Sequence, residues 1–144
     1  MNRFALDTSI LLRWFARTSD ADAERALLLR QEHLAGRMEL IVLDQSLYEL
    51  IQVLEKGAGW NQPSLAQAMA SLEQMHLQIV PYSHAIASRA TQIADELDLS
   101  VASACFVALG AHLRCQALTC DESLYRKVAS LPWTVLLSQL NLSL

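Results

Sequence analysis

Three acids in this sequence stand where a carboxylate can do chemistry. Asp7 follows the short apolar run Phe4-Ala5-Leu6, and Asp121 follows Cys115-Gln116-Ala117-Leu118-Thr119-Cys120. Each stretch reads as a strand that ends by delivering an acid to the edge of a sheet. In an open α/β sheet, ligands collect just beyond the carboxyl ends of the strands. Two carboxylates placed there, though far apart along the chain, can converge on one metal ion, which points to metal-dependent hydrolysis. The alternative is that each acid caps the helix behind it, since Asp is among the best N-cap residues. Thr8 or Ser9 could cap equally well and release Asp7; Glu122 and Ser123 leave the same ambiguity at Asp121. Glu49 lies mid-helix, on the side of Gln45, Gln52 and Lys56 and away from the apolar positions Leu47, Leu50, Ile51 and Leu54. Such a face is either solvated or turned into a cleft.

The elements that must position these acids alternate regularly. Strands are expected over residues 3–7, 39–43, 77–80, 115–119 and 133–137. Helices are expected over Thr8–Ala16 and Asp20–Ala35, from Asp44 or Ser46 to Gly57, and over Asn61–Met75, Ser83–Leu97, Ser100–Leu113 and Glu122–Ala129. Asp20, Asp22 and Glu24 suit the positive end of a helix dipole, and Gly36 suits a helix stop. Strands separated by helices imply a parallel sheet covered on both faces, with right-handed crossovers. The helix from Val101 to Leu113 is apolar on nearly every side and rich in small residues. It should be buried and approach the sheet closely.

Composition narrows the class. The 144 residues are 53% hydrophobic and 18% charged, with a formal net charge of −4. That is enough for one domain, residues 1–144, with a substantial core and apolar surface left for a partner. The acidic balance argues against bulk nucleic-acid binding, which rests on Lys and Arg neutralising phosphates. Arg13, Arg17, Arg114, Arg126 and Lys127 could still form a local basic rim or be ordinary surface charge. No spanning apolar run and no signal-peptide pattern is present, so a cytoplasmic protein with no membrane partner is expected. Cys105, Cys115 and Cys120 show no paired spacing and fit reduced thiols. His33, His76, His84 and His112 are scattered and form no zinc pattern.

Four segments in order carry a resemblance: Ala5-Leu6-Asp7-Thr8-Ser9-Ile10-Leu11, Leu47-Tyr48-Glu49-Leu50, Ala104-Cys105-Phe106-Val107-Ala108-Leu109 and Leu118-Thr119-Cys120-Asp121-Glu122-Ser123-Leu124. The set resembles a PIN domain, most of all the VapC-type toxins of bacterial toxin–antitoxin pairs. The resemblance implies a three-layer α/β/α sandwich around a central parallel sheet. It also implies a Mg²⁺- or Mn²⁺-dependent endoribonuclease, often a homodimer, held inactive by a small antitoxin protein. On that basis Asp7, Glu49 and Asp121 are the catalytic metal ligands, and Thr8 and Thr119 are supporting hydroxyls.

One position departs from the family pattern. An acid usually precedes the Ala-x-Phe/Tyr-x-Ala-Leu run, and here Ser103 stands in that place. Three carboxylates suit one divalent ion better than two, although Mg²⁺ commonly takes only one or two carboxylates with water and substrate phosphate. Asp98 and Asp44 are conceivable substitutes, but each is better explained as a helix-start or loop residue. The competing readings are a non-catalytic PIN-like module that binds RNA or protein, and a dimeric protein that sequesters an antitoxin-like peptide.

Overall fold

The computed structural model describes residues 1–16 and 20–142. Five strands form one parallel sheet: β1 (Asn2–Leu6), β2 (Met38–Leu43), β3 (Gln78–Val80), β4 (Gln116–Thr119) and β5 (Thr134–Leu136). Their spatial order is β3-β2-β1-β4-β5. Seven α-helices accompany them among the described residues: α1 (Thr8–Phe15), α2 (Ala21–Leu34), α3 (Asp44–Gln52), α4 (Gln62–Gln74), α5 (His84–Leu97), α6 (Val101–Leu113) and α7 (Glu122–Val128). No helix of the described residues is long and apolar enough to cross a membrane.

Strand alternation divides the core in two. Phe4, Leu6, Leu40, Val42 and Leu118 point to one face, where α1, α2, α3 and α4 bring Ile10, Leu29, Leu50 and Leu72. Ala5, Ile41, Leu43 and Ala117 point to the other, against α5, α6 and α7. Both faces of a parallel sheet are buried, so its strands read as nearly unbroken apolar runs. The result is the expected three-layer α/β/α sandwich. As its composition demands, α6 is sunk into the second face, with Ala104 and every residue from Phe106 to Gly110 buried. Gly110 is the point of closest approach: a Cβ there would lie 2.9 Å from the Cβ of Ala117 and 3.0 Å from Trp133. The Trp133 indole N–H donates to the Val107 carbonyl at 2.9 Å, fastening the same junction.

Several local expectations are corrected. Asp7 does not release its cap to Thr8 or Ser9; it is itself the N-cap of α1. Strand β1 ends at Leu6, paired with Leu118, so Asp7 stands one residue beyond the ladder. Neither Asp44 nor Ser46 is the N-cap of α3. Leu43 holds that position without a side-chain bond, while the Asp44 carboxylate accepts from the Gln45 N–H at 2.7 Å. The end of that helix widens into a π-turn over Val53–Gly57. Asp98 ends α5 in the left-handed region, at φ 54°.

The strand order decides where a ligand goes. From β1 the chain moves outward through β2 and β3, then returns to the other side of β1 with β4 and β5. The reversal lies between β1 and β4, and the crevice at the carboxyl ends of those two strands is the topological switch point. Asp7 follows β1 directly, and Asp121 lies two residues beyond β4.

Candidate active site

At the switch point lies a small cleft of about 140 Å³, lined among others by Asp7, Thr8, Glu49, Ser103 and Asp121. The residues come from four separate stretches of chain. The β1–α1 turn supplies Asp7 and Thr8, α3 supplies Glu49, the first turn of α6 supplies Ser103, and the β4–α7 turn supplies Asp121.

Asp7 is the most constrained. Its carboxylate is 9% exposed. Oδ1 accepts from the Ser9 hydroxyl at 2.6 Å and from the Ile10 N–H at 3.3 Å. Oδ2 accepts a short bond from the Thr119 hydroxyl. Thr119 Oγ1 in turn accepts the Asp121 N–H at 3.0 Å, and Ser9 Oγ accepts the Cys120 N–H at 2.9 Å. Two hydroxyls therefore stitch the turn after β1 to the turn after β4. Burial pushes the Asp7 pKa from 3.8 up to about 6; the bonds from Ser9, Thr119 and Ile10 oppose that rise, and the charge of Asp121 adds to it. A buried anion with no cation beside it is the cause.

Asp121 is exposed and caps α7, its Oδ1 accepting the Leu124 N–H at 3.1 Å. Glu49 is half-buried, and its Oε2 accepts the Thr8 hydroxyl at 3.2 Å. Ser103 is half-buried as well, and its Oγ accepts from the Ser100 hydroxyl at 3.0 Å. Its partner is thus the capping side chain of α6. The two conceivable substitute acids are elsewhere: neither Asp98 nor Asp44 lines the cleft.

As the side chains lie, no group of three His, Cys, Asp or Glu residues among those described stands close enough to hold one ion. The donor chemistry nonetheless suits a hard divalent cation. Carboxylates and hydroxyls are the oxygen ligands Mg²⁺ and Mn²⁺ take, and Mg²⁺ keeps water between itself and part of its site. A cation beside Asp7 would oppose the rise that burial causes. Thiol and imidazole chemistry are poorly served. Burial raises the Cys105 thiol, helped by the charge of Glu49, and pushes Cys120 up to about 12, so neither is a ready nucleophile. No histidine lines the cleft.

A sequence profile of the PIN domain matches residues 4–130, which is most of the chain. The chain belongs to the PIN domain family. Solved structures share the architecture of this PIN domain at low sequence identity. A toxin–antitoxin complex from Klebsiella pneumoniae superposes with TM-score 0.68 at 18% identity, over 91% of this chain and 94% of that one. Mycobacterium tuberculosis VapC20, described as a toxin that cleaves the Sarcin-Ricin loop, gives 0.66 at 17% identity, over 85% and 93%. FitAcB from Neisseria gonorrhoeae gives 0.68 at 16%, over 95% and 99%. A search of curated protein sequences gives no significant match.

Sequence reasoning missed two contributors to this PIN cleft. Ser9, weighed only as a cap, is the hub that holds Asp7 and the Cys120 backbone together. Ser46 is buried and lines the cleft from α3. A hydroxyl two residues after a capping Asp was the available signal for the first; nothing local marked the second. The basic residues weighed for a local rim are scattered, as ordinary surface charge would be. Arg13 donates to the Ser9 carbonyl at 3.0 Å. Arg114 ends α6 near the opposite edge of the sheet, beside Arg3 and Met1. Arg126 faces Glu122, Lys127 donates to the Asp98 carbonyl, and Arg17 lies outside the described residues.

Proposed function

We propose that this PIN domain is a metal-dependent endoribonuclease of the VapC-like toxin type. Asp7, Glu49 and Asp121 would hold one Mg²⁺ or Mn²⁺, with Thr8 and Thr119 as supports. The observation that carries the reading is that these acids, from three distant segments, line one cleft at the switch point of the sheet. A divalent ion bound there supplies an acidified water and a polarised phosphoryl oxygen.

The chain's own residues have definable tasks in this reading. Ser9 and Thr119 fix the Asp7 carboxylate so that its orientation does not depend on the ligand. Thr8 holds Glu49 at the opposite wall. Asp121, exposed and with one oxygen engaged in capping α7, would keep its other oxygen for the ion. Ser103 contributes a neutral hydroxyl where an acid would add charge, so a single ion is favoured over a pair.

A small antitoxin protein as inhibitor, a homodimer and a cytoplasmic setting belong to the same proposal. Exposed Ile79 and Tyr82 give apolar surface at the β3 edge of the sheet for self-association. Ser103 favours one competing reading, a PIN-like module that binds RNA or protein without cutting it. The deciding experiment pairs Mn²⁺ calorimetry with RNA cleavage by the wild type and by Asp7→Asn, Glu49→Gln and Asp121→Asn. Cleavage lost in all three folded variants supports the enzyme. Absence of Mn²⁺ binding and of cleavage in the wild type supports the module.

A further inference from the structure

A second cavity, of about 520 Å³, opens at the far end of α1, between α2 and α4. It shares no residue with the carboxylate cleft. One wall is aromatic. The Trp14 indole N–H donates to the Ala26 carbonyl at 2.8 Å, which fixes that ring in place. Phe15 and Trp60, both half-buried, meet edge-to-face with centroids 6.4 Å apart.

The lining also carries a cation, Arg30. The Nε of Arg30 is buried and finds no acceptor. Its Nη2 makes one long bond, 3.4 Å, to the Ser71 hydroxyl. No Asp or Glu lines the cavity, and no ion pair reaches Arg30 among the described residues. Gln67 and Ser71, four residues apart on α4, present polar groups to the same space. In a chain of net charge −4, this cavity offers positive charge and hydrogen-bond donors with no carboxylate to quench them. A guanidinium that lines a cavity with one long bond and no carboxylate partner can pair with an anion.

We propose that this cavity binds a nucleotide, its base against the Trp60–Phe15 wall and its phosphate on Arg30. A bare anion would leave the aromatic wall unused. Base–aromatic stacking and Arg–phosphate pairing together use both walls, and the volume lies in the range of small-ligand sites. The nucleotide is either a free mononucleotide or one residue of an RNA strand, and the two share this chemistry. Neither source requires the carboxylate cleft to be catalytic.

The test is calorimetric titration of the full chain with adenosine monophosphate and with a tetra-adenylate RNA, in excess chelator so that no cleavage occurs. The wild type should bind at least one of them. Arg30→Gln should weaken binding roughly tenfold or more, and Trp60→Ala by about tenfold. Ser71→Asp gives Arg30 a resident carboxylate without emptying the core, and should abolish binding while circular dichroism shows an intact fold. Tighter binding of the RNA assigns the cavity to a strand, and tighter binding of the mononucleotide assigns it to a free effector. The proposal is overturned by no binding of either ligand at millimolar concentration, or by unchanged affinity in Ser71→Asp. It is overturned equally if sulfate competes fully and Trp60→Ala has no effect.

Discussion

Replacing Asp7 by Asn should stabilise the metal-free protein at neutral pH and remove its response to divalent ions. The carboxylate is buried in the switch-point cleft, and burial raises its pKa from 3.8 to about 6 even after the bonds from Ser9, Thr119 and Ile10 have favoured the anion. The folded state then holds this proton more tightly than the unfolded chain. Between pH 3.8 and about 6, folding takes up a proton, so stability falls as pH rises. Above that window the whole penalty is present, and below it none. At about 1.36 kcal/mol for each tenfold change in proton affinity, the penalty is about 3 kcal/mol. An Asn keeps the acceptor for Ser9 and Ile10. Its amide can donate to Thr119 Oγ1, whose own proton then turns toward Ser9 Oγ, 3.4 Å away. Allowing about 1 kcal/mol for that rearrangement leaves a net gain of about 2 kcal/mol, or roughly 4–8 °C in unfolding midpoint. Urea unfolding in chelator should show the variant more stable at about pH 7.5, the two curves crossing near about pH 4.5, and the wild type more stable by up to about 1 kcal/mol below it. Millimolar Mn²⁺ should then raise the wild type and leave the variant unmoved. A variant less stable than the wild type at neutral pH would refute the electrostatic argument. An equal response of both proteins to Mn²⁺ would remove Asp7 from the ion site.

Four other substitutions probe separate parts of the reasoning. Ser103→Asp adds a carboxylate to the cleft and should tighten Mn²⁺ binding by about tenfold with a rise in cleavage; calorimetry showing no change would mean the added acid does not reach the ion. Thr119→Val removes the donor to Asp7 and the acceptor of the Asp121 N–H, and should cost about 2 kcal/mol in chemical denaturation, with the fall in stability continuing above about pH 6 because Asp7 loses a bond that opposes its raised pKa. Gly110→Ala forces a Cβ to 2.9 Å from Ala117, and should destabilise by about 1–2 kcal/mol after the gain in helix propensity is set against overpacking. Glu49→Gln keeps an acceptor for the Thr8 hydroxyl, so its unfolding midpoint should match the wild type while metal-dependent cleavage is lost.

Much of the frame was legible because one-dimensional pattern and three-dimensional role coincide in a parallel α/β sheet. A short, branched run such as Leu40-Ile41-Val42-Leu43 between turn signals reads as a strand covered on both faces, and an acid at the end of such a run then falls at the end of the sheet. The all-apolar helix α6 announced its own burial. The face of Glu49 was not legible, since periodicity reports distance from the core and cannot tell solvent from a cleft. Polar positions that line a cleft look the same as polar positions that meet water until α1 and α6 are placed beside α3. Ser9 and Ser46 escaped for a related reason, their value lying in bonds or walls made with chain far away in sequence. The π-turn over Val53–Gly57 has no signal in the sequence that we can name. The cavity beside Arg30 depends on how α4 docks against α2, which no local pattern encodes.

The opposition between helix cap and site residue, natural when the sequence is read alone, dissolves once the oxygens are counted. A carboxylate has two oxygens and about four acceptor positions, and capping uses one of them. Asp7 caps α1 and Asp121 caps α7, yet both line the cleft. The parallel sheet makes this coincidence structural: each strand that ends at the switch point is followed by a helix, so the residue that caps the helix is also the residue that faces the crevice. The same geometry brings the first turns of α1, α3 and α6 to the cleft through Thr8, Ser46 and Ser103. Helix starts carry partial positive charge and favour anions. A cleft that joins positive helix ends to carboxylates offers one set of groups to a cation and another to a phosphate. In the proposed reading, electrostatic complementarity would be best satisfied by a divalent ion and a phosphodiester bound together. Neutralising the acids should therefore weaken both the ion and the RNA, whereas neutral substitutions at Ser103 should leave the helix-end contribution intact.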